Sequence, residues 1–160
     1  MQVLVMYHTR SGNTEKLAQA IAEGVRQVEG VKCVVKPVAD VTQEEYAACD
    51  GLIAGSPVYF GSMAAEMKEA FDSFVSVRRQ MENKVGAAFA TAGDPSGGKE
   101  TTIISILQAM LIYGMVIVGD PMDATGHYGV SCVDAPDERT RGNAAKLGRR
   151  VAELVKRLAS

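Results

Sequence analysis

Short apolar strand patterns alternate with amphipathic helix patterns along the whole chain, and this alternation restricts the possible folds more than any other feature. Strand patterns occupy residues 2–6, 31–36, 51–55, 85–90 and 115–118. Parallel strands need long crossover connections, which are usually helices, so repeated β–α units predict a parallel sheet with helices on both faces. We therefore predict a doubly wound, five-stranded α/β fold with three layers, α/β/α.

Helix patterns fill the segments between these strands. The first helix is predicted to begin at a cap formed by Asn13 or Thr14. Further helices are predicted over 42–48, along the apolar stripe from Met63 to Phe74, and over 100–112 and 137–158. Residues 119–128 are predicted to form a loop, and 129–133 to extend or flank the fifth strand. Without repeats, low-complexity segments or linkers, residues 1–160 are expected to form a single domain.

Charge and cysteine content argue against several classes of partner and location. The 160 residues carry a formal net charge of -2, which gives no electrostatic basis for binding nucleic acid or an anionic membrane. No apolar run approaches the length of a membrane span, and no basic region precedes the first strand as in a signal peptide. The three cysteines lack metal-ligand spacing and cannot all pair. We expect a cytoplasmic protein with reduced thiols.

Three unusual loops follow the first, third and fourth predicted strands. Residues 9–14 combine three hydroxyls with Gly12 at the start of a helix, where unpaired N–H groups and the helix dipole favour a phosphate. Residues 56–62 are unusually aromatic, and residues 91–98 are rich in glycine. Because ligands bind at the carboxyl ends of parallel strands, all three loops are expected to meet in one crevice.

Other phosphate and catalytic motifs fit poorly. The dinucleotide fingerprint G-x-G-x-x-G is absent, since the first turn has the single Gly12. Residues 93–99 match most of a P-loop, but Glu100 stands where a magnesium-binding hydroxyl is needed. The end of the third strand, Gly55-Ser56, offers no aspartate for phosphorylation, and a nucleophile elbow G-x-S-x-G is missing.

The same loops resemble those of a known family. Thr9-x-Ser11-Gly12-Asn13-Thr14-Glu15 resembles the FMN phosphate loop of flavodoxins. The segments 55–63 and 91–100 are more similar to the flavodoxin-fold NAD(P)H:quinone oxidoreductases of the tryptophan-repressor-binding-protein type, and residues 113–118 and 128–129 also fit that group. The resemblance covers nearly the whole chain. It implies a flavodoxin-like sheet of order 2-1-3-4-5 and one noncovalent FMN.

Carried over to this chain, the resemblance assigns three sets of cofactor contacts. The phosphate contacts would be Thr9, Arg10, Ser11, Gly12, Asn13 and Thr14. Pro57, Val58, Tyr59, Phe60 and Gly61 would pass along the isoalloxazine ring. Thr91, Ala92, Gly93, Asp94, Gly97 and Gly98 would bind its polar edge. For Phe60 a place in the core is an open alternative, and Gly97 and Gly98 could serve only as turn formers.

The expected function is two-electron transfer from NAD(P)H to quinones or similar acceptors, with the flavin N5 carrying the chemistry. The chain has no Trp, and 91–98 contains no aromatic residue, which leaves one ring face open to a substrate. The alternative is a flavodoxin-type electron carrier between redox proteins.

His127 and Tyr128 are the candidate catalytic side chains, although a solvated loop is the simpler interpretation of His127. Ile112 stands where the oxidoreductases commonly have His, and the shorter segment after the fifth strand weakens the case for their tetramer. The sequence leaves both a homodimer and a homotetramer open.

Overall fold

The computed structural model describes residues 1–159 and contains six strands and five α-helices in that range. In chain order these are β1 (Gln2–Tyr7), α1 (Asn13–Arg26), β2 (Lys32–Pro37), α2 (Gln43–Ala48), β3 (Gly51–Pro57), α3 (Ala65–Ser73), β4 (Val85–Ala92), α4 (Lys99–Ile112), β5 (Val116–Ile117), β6 (Ser131–Val133) and α5 (Glu138–Leu158). Two 3-10 helices, Val38–Asp40 and Phe74–Met81, complete the set.

The strands form one parallel sheet in the order β2-β1-β3-β4-β5, and β6 also pairs with β4. This confirms the predicted order and the position of β2 at an edge. Alternate side chains of each buried strand point to opposite faces. In β1, Val3 and Val5 pack with α1 and α5, whereas Leu4 and Met6 pack with α3 and α4. The sheet is therefore the middle of three layers, with a hydrophobic core on each side.

The fifth position of the sheet is occupied by two separate strands. Val116 lies opposite Val85 at the start of β4, while Ser131 lies opposite Ala90 near its end. Val118 and Val130 still form backbone hydrogen bonds with β4, and residues 119–129 leave the sheet between them. The prediction that 129–133 extends this edge is confirmed, whereas the predicted strand at 115–118 is shortened to Val116–Ile117.

Two details of the predicted helices are wrong. The cap of α1 is Gly12, in the left-handed region at φ 86°, rather than Asn13 or Thr14. The helix predicted from Met63 begins only at Ala65, and at Phe74 it tightens into the 3-10 helix. Among residues 1–159 no helix has the length and apolar character that crossing a membrane requires.

Candidate cofactor site

The loops after β1, β3 and β4 meet at the carboxyl edge of the sheet, as predicted. The His8 N–H donates to the Gly55 carbonyl at 3.0 Å, which joins the end of β1 to the end of β3. The Val58 N–H donates to the Thr91 carbonyl at 2.8 Å, which joins the end of β3 to the end of β4. The chain reverses its winding direction between β1 and β3, so the crevice lies where ligands bind in open parallel sheets.

The first loop is held open at the start of α1. The Gly12 N–H donates to the Thr9 hydroxyl oxygen at 3.0 Å, and Gly12 takes a positive φ that other residues rarely adopt. No side chain caps α1. The first N–H groups of a helix have no intrahelical acceptor, so they remain available to a ligand. Arg10 and Ser11 are exposed beside them.

Thr14 differs from the other hydroxyls of this loop. Its side chain is only 1% exposed, and its hydroxyl lies 2.8 Å from the Thr91 hydroxyl in a buried hydrogen bond. The Thr14 side chain, which is predicted as a phosphate contact, thus makes an internal hydrogen bond in this structure. The bond joins the first loop to the end of β4, 77 residues further along the chain.

The loop after β3 ends in a tight turn that exposes a large aromatic side chain. Tyr59 and Ser62 exchange two backbone hydrogen bonds of 3.0 and 3.1 Å around Phe60 and Gly61. Phe60 has φ 50° and is fully exposed, at 109% of its reference area. A positive φ is costly for a bulky residue, and such strain is concentrated at functional sites. The interpretation of Phe60 as a core residue is wrong.

The loop after β4 is attached to that turn. The Thr101 hydroxyl lies 2.7 Å from the Gly61 carbonyl oxygen and 2.9 Å from that of Gly98. Gly98 has φ 101°, and a Cβ placed on it would lie 3.0 Å from the Gly61 Cα. Two glycines thus allow the two backbones to approach closely. Gly98 is more than a turn former, because a larger residue would separate the loops.

Asp94 stabilises the middle of the same loop. Its Oδ1 accepts hydrogen bonds from the Ser96 hydroxyl at 2.7 Å and from the Ser96 N–H at 2.8 Å. These donors lower the pKa of the exposed Asp94 carboxyl below its usual value, so it is ionised at neutral pH. The Gly97 N–H donates to the Asp94 carbonyl at 3.0 Å. The Gly-rich loop is therefore an ordered turn.

His8 was missed as a member of this crevice by the sequence analysis, which considered only His127. Its ring meets the Tyr59 ring edge-on, with centroids 6.3 Å apart, and its Nε2 lies 3.7 Å from the Glu66 carboxylate. The available signal was its position directly after β1, at the predicted ligand-binding edge. Thr101 was missed as well, because its hydrogen bond to Gly61 joins residues 40 positions apart in the sequence.

His127 and Tyr128 lie in a different cavity of about 420 Å³. Its walls are the first turns of α4 and α5 and residues 125–131, and none of its lining residues belongs to the three loops. Among the lining residues are Glu100 and Arg139. The structure therefore places His127 and Tyr128 in a cavity that the predicted cofactor contacts do not line.

The segment 118–130 also contains a buried carboxylate. Asp120 is 7% exposed, and neither of its carboxylate oxygens has a hydrogen-bond partner among residues 1–159. Burial raises the pKa of Asp120 to about 6, although Arg150, His127 and the neighbouring Gly129 N–H lower it in part. Arg150 donates to the Gly119 and Asp120 carbonyls rather than to the carboxylate. The ionised form of Asp120 is thus poorly stabilised.

We expect Asp120→Asn to stabilise the protein at pH 8 but not at pH 4.5. The pKa of Asp120 is higher in the folded state than in the unfolded state, so the folded protein binds this proton more tightly. The contribution of Asp120 to stability therefore falls as pH rises from about 4 to about 6. The two-unit interval corresponds to about 2–3 kcal/mol of unfolding free energy that the Asn variant avoids losing. Urea unfolding at the two pH values measures this difference.

Asp123→Asn, at an exposed carboxylate 3.3 Å from Lys146, is the matched control. An Asp120→Asn effect that is the same at both pH values would contradict the assignment.

Comparisons with known proteins agree with this geometry. Residues 1–128 match a protein family described as NADPH-dependent FMN reductase. An NAD(P)H dehydrogenase (quinone) from Archaeoglobus fulgidus is 34% identical over 98% of both chains. A flavodoxin from Aquifex aeolicus is 36% identical over 96% of this chain and 86% of its own length. A solved structure of a flavodoxin from the domain Archaea superposes with a TM-score of 0.82 at 28% identity, over 98% of this chain and 99% of that one. The family match, over residues 1–128, includes all three loops.

Proposed function

The chain belongs to the NADPH-dependent FMN reductase family and has a flavodoxin-like fold, and on that basis we propose that it is a single-domain FMN-dependent oxidoreductase. It would transfer two electrons from NAD(P)H to a quinone or a similar small acceptor. The observation that carries this proposal is the convergence of a hydroxyl-rich loop, an aromatic turn and a Gly-rich loop at one edge of the sheet. Bound FMN supplies the hydride chemistry, and the protein holds and orients it.

The first loop fits the phosphate of FMN. The hydroxyls of Thr9 and Ser11 and the uncapped N–H groups from Asn13 onward supply donors, and Arg10 adds a positive charge. A side chain built on Gly12 would meet nothing within 4 Å, so the approach to the helix start is open. Thr14 would contribute its N–H, and its hydroxyl anchors the loop through the hydrogen bond to Thr91.

The other two loops fit the isoalloxazine ring. Residues 57–61 would pass along the ring, with Tyr59 supplying apolar contact and Phe60 standing at the rim of the crevice. Residues 91–94, with Gly97 and Gly98, would bind the polar edge through the backbone, which glycines expose at close range. A side chain built on Gly93 would also meet nothing within 4 Å, which leaves room for a ring at that edge.

Access to the ring supports an enzyme. Residues 91–98 contain no aromatic side chain that could stack on the flavin. A nicotinamide or quinone could then lie parallel to the ring at reacting distance, each substrate in turn.

The three described cysteines are free thiols, which supports a cytoplasmic location, where such thiols are kept reduced.

An electron carrier is the second candidate. The similarity to the flavodoxin from Aquifex aeolicus, at 36% identity, favours it. A carrier would exchange electrons with protein partners, and the exposed Phe60 would then lie at the contact surface.

Anaerobic addition of NADPH or NADH to the FMN-loaded protein distinguishes the two candidates. We expect rapid bleaching of the visible flavin absorbance by at least one nucleotide, and return of the colour when a quinone is added. Free FMN at the same concentration is the control for uncatalysed reduction. Protein that dithionite bleaches but neither nucleotide reduces would contradict the enzyme and support the carrier.

A further inference from the structure

His8 lies at the junction of three elements that surround the crevice. Its N–H is bonded to the end of β3, its ring meets the Tyr59 ring at an interplanar angle of 74°, and its Nε2 faces Glu66 of α3. The side chain is only 19% exposed. We propose that His8 is a positioning residue that holds the Tyr59 ring in place against the isoalloxazine ring. This inference rests on the proposed function, which places Tyr59 at that ring.

The arrangement restricts both rings. An edge-to-face pair has a preferred geometry because the positive edge of one ring meets the negative face of the other. The His8 backbone is bonded to Gly55, and its Nε2 lies 3.7 Å from the Glu66 carboxylate, so the largely buried imidazole has limited freedom to follow a moving Tyr59. The turn from Tyr59 to Ser62 fixes the tyrosine backbone but leaves its side-chain torsions free. His8 supplies the missing restraint.

A direct role in phosphate binding is the competing explanation, because His8 precedes Thr9. The structure favours the positioning role, since the Nε2 atom points toward a carboxylate on α3. The negative charge of Glu66 would offset a proton on the ring, so the pair adds little positive charge to the phosphate loop. The ring contact with Tyr59 is independent of charge.

The two roles predict different ligand dependence. If His8 positions Tyr59, His8→Ala should weaken the binding of FMN and of riboflavin by the same factor, about two- to tenfold, because both contain the ring. The residual fluorescence of bound flavin should rise, since a mobile tyrosine quenches it less. His8→Phe should retain most of the affinity, because it keeps the aromatic edge. Weakening confined to FMN would overturn the proposal in favour of a phosphate contact.

A double-mutant cycle with Tyr59→Leu separates this inference from the proposed site. We expect Tyr59→Leu to weaken both flavins, and His8→Ala to add nothing further in that background. His127→Ala, at the second histidine of the chain, is the control that should leave flavin binding unchanged. If Tyr59→Leu has no effect, the proposed ring site is wrong. If Tyr59→Leu weakens binding but the His8→Ala effect is absent or simply additive, the positioning role is wrong. Urea unfolding of the flavin-free variants shows whether a loss of fold contributes.

Discussion

Thr9→Val combined with Ser11→Ala should weaken FMN binding by about 2–6 kcal/mol and leave riboflavin binding almost unchanged. Hydrogen bonds to a charged phosphate are among the stronger ones, at about 1–3 kcal/mol each. Loss of the Thr9 hydroxyl also removes the acceptor for the Gly12 N–H, which loosens the loop before α1. Fluorescence-quenching titrations with the two flavins measure the difference.

Thr14→Val is the matched control for this experiment. Its hydroxyl is buried against Thr91, so its loss should lower the unfolding free energy by about 1–3 kcal/mol without selecting against FMN. If the variant with Thr9→Val and Ser11→Ala binds FMN and riboflavin with equally reduced affinity, these hydroxyls do not contact the phosphate.

Gly98→Val should destabilise the flavin-free protein by about 2–4 kcal/mol and weaken FMN binding further. At φ 101° a branched side chain is strained, and its Cβ would lie 2.8 Å from the Thr101 hydroxyl and 3.0 Å from the Gly61 Cα. The substitution would force apart the turn after β3 and the loop after β4. Thermal unfolding without flavin, followed by flavin titration, separates the two effects.

Gly93→Ala in the same loop is the control for backbone substitution. A Cβ there meets nothing within 4 Å, so we expect a change of at most about 0.5 kcal/mol in the flavin-free protein. If Gly98→Val and Gly93→Ala destabilise the protein equally, the close approach of Gly98 to Gly61 does not contribute to stability.

The parts of the fold that depend on local pattern could be predicted from the sequence. Alternating strands and helices predicted a parallel sheet with helices on both faces, and the carboxyl-edge crevice follows from such a sheet. The order of the strands was implied only by the resemblance to flavodoxins. The length of β5 could not be predicted in this way, because its apolar run continues beyond the two residues that pair with β4. Side-chain directions were also beyond reach: the bond from Thr14 to Thr91 joins residues 77 positions apart.

Neighbouring residues in the candidate site show the same distinction. The aromatic character of 56–62 was visible, but Tyr59 and Phe60 have different surroundings because a two-residue turn exposes Phe60. The partners of His8 could not be predicted, because Tyr59 and Glu66 come from later elements of the chain. Residue types could be assigned to loops, whereas contacts between loops required the folded chain.

The division of the fifth position into β5 and β6 affects how readily this edge of the sheet could pair with a strand of another chain. An exposed edge strand offers unpaired N–H and C=O groups to other chains, and natural sheets limit this with short strands and lysines. Here one edge consists of a two-residue strand and a three-residue strand, and the other carries the exposed Lys32. Shortening 119–129 until β5 and β6 join would add hydrogen bonds to β4. The same change would create a continuous template for strand addition, so a better-paired sheet would come with a greater tendency to aggregate.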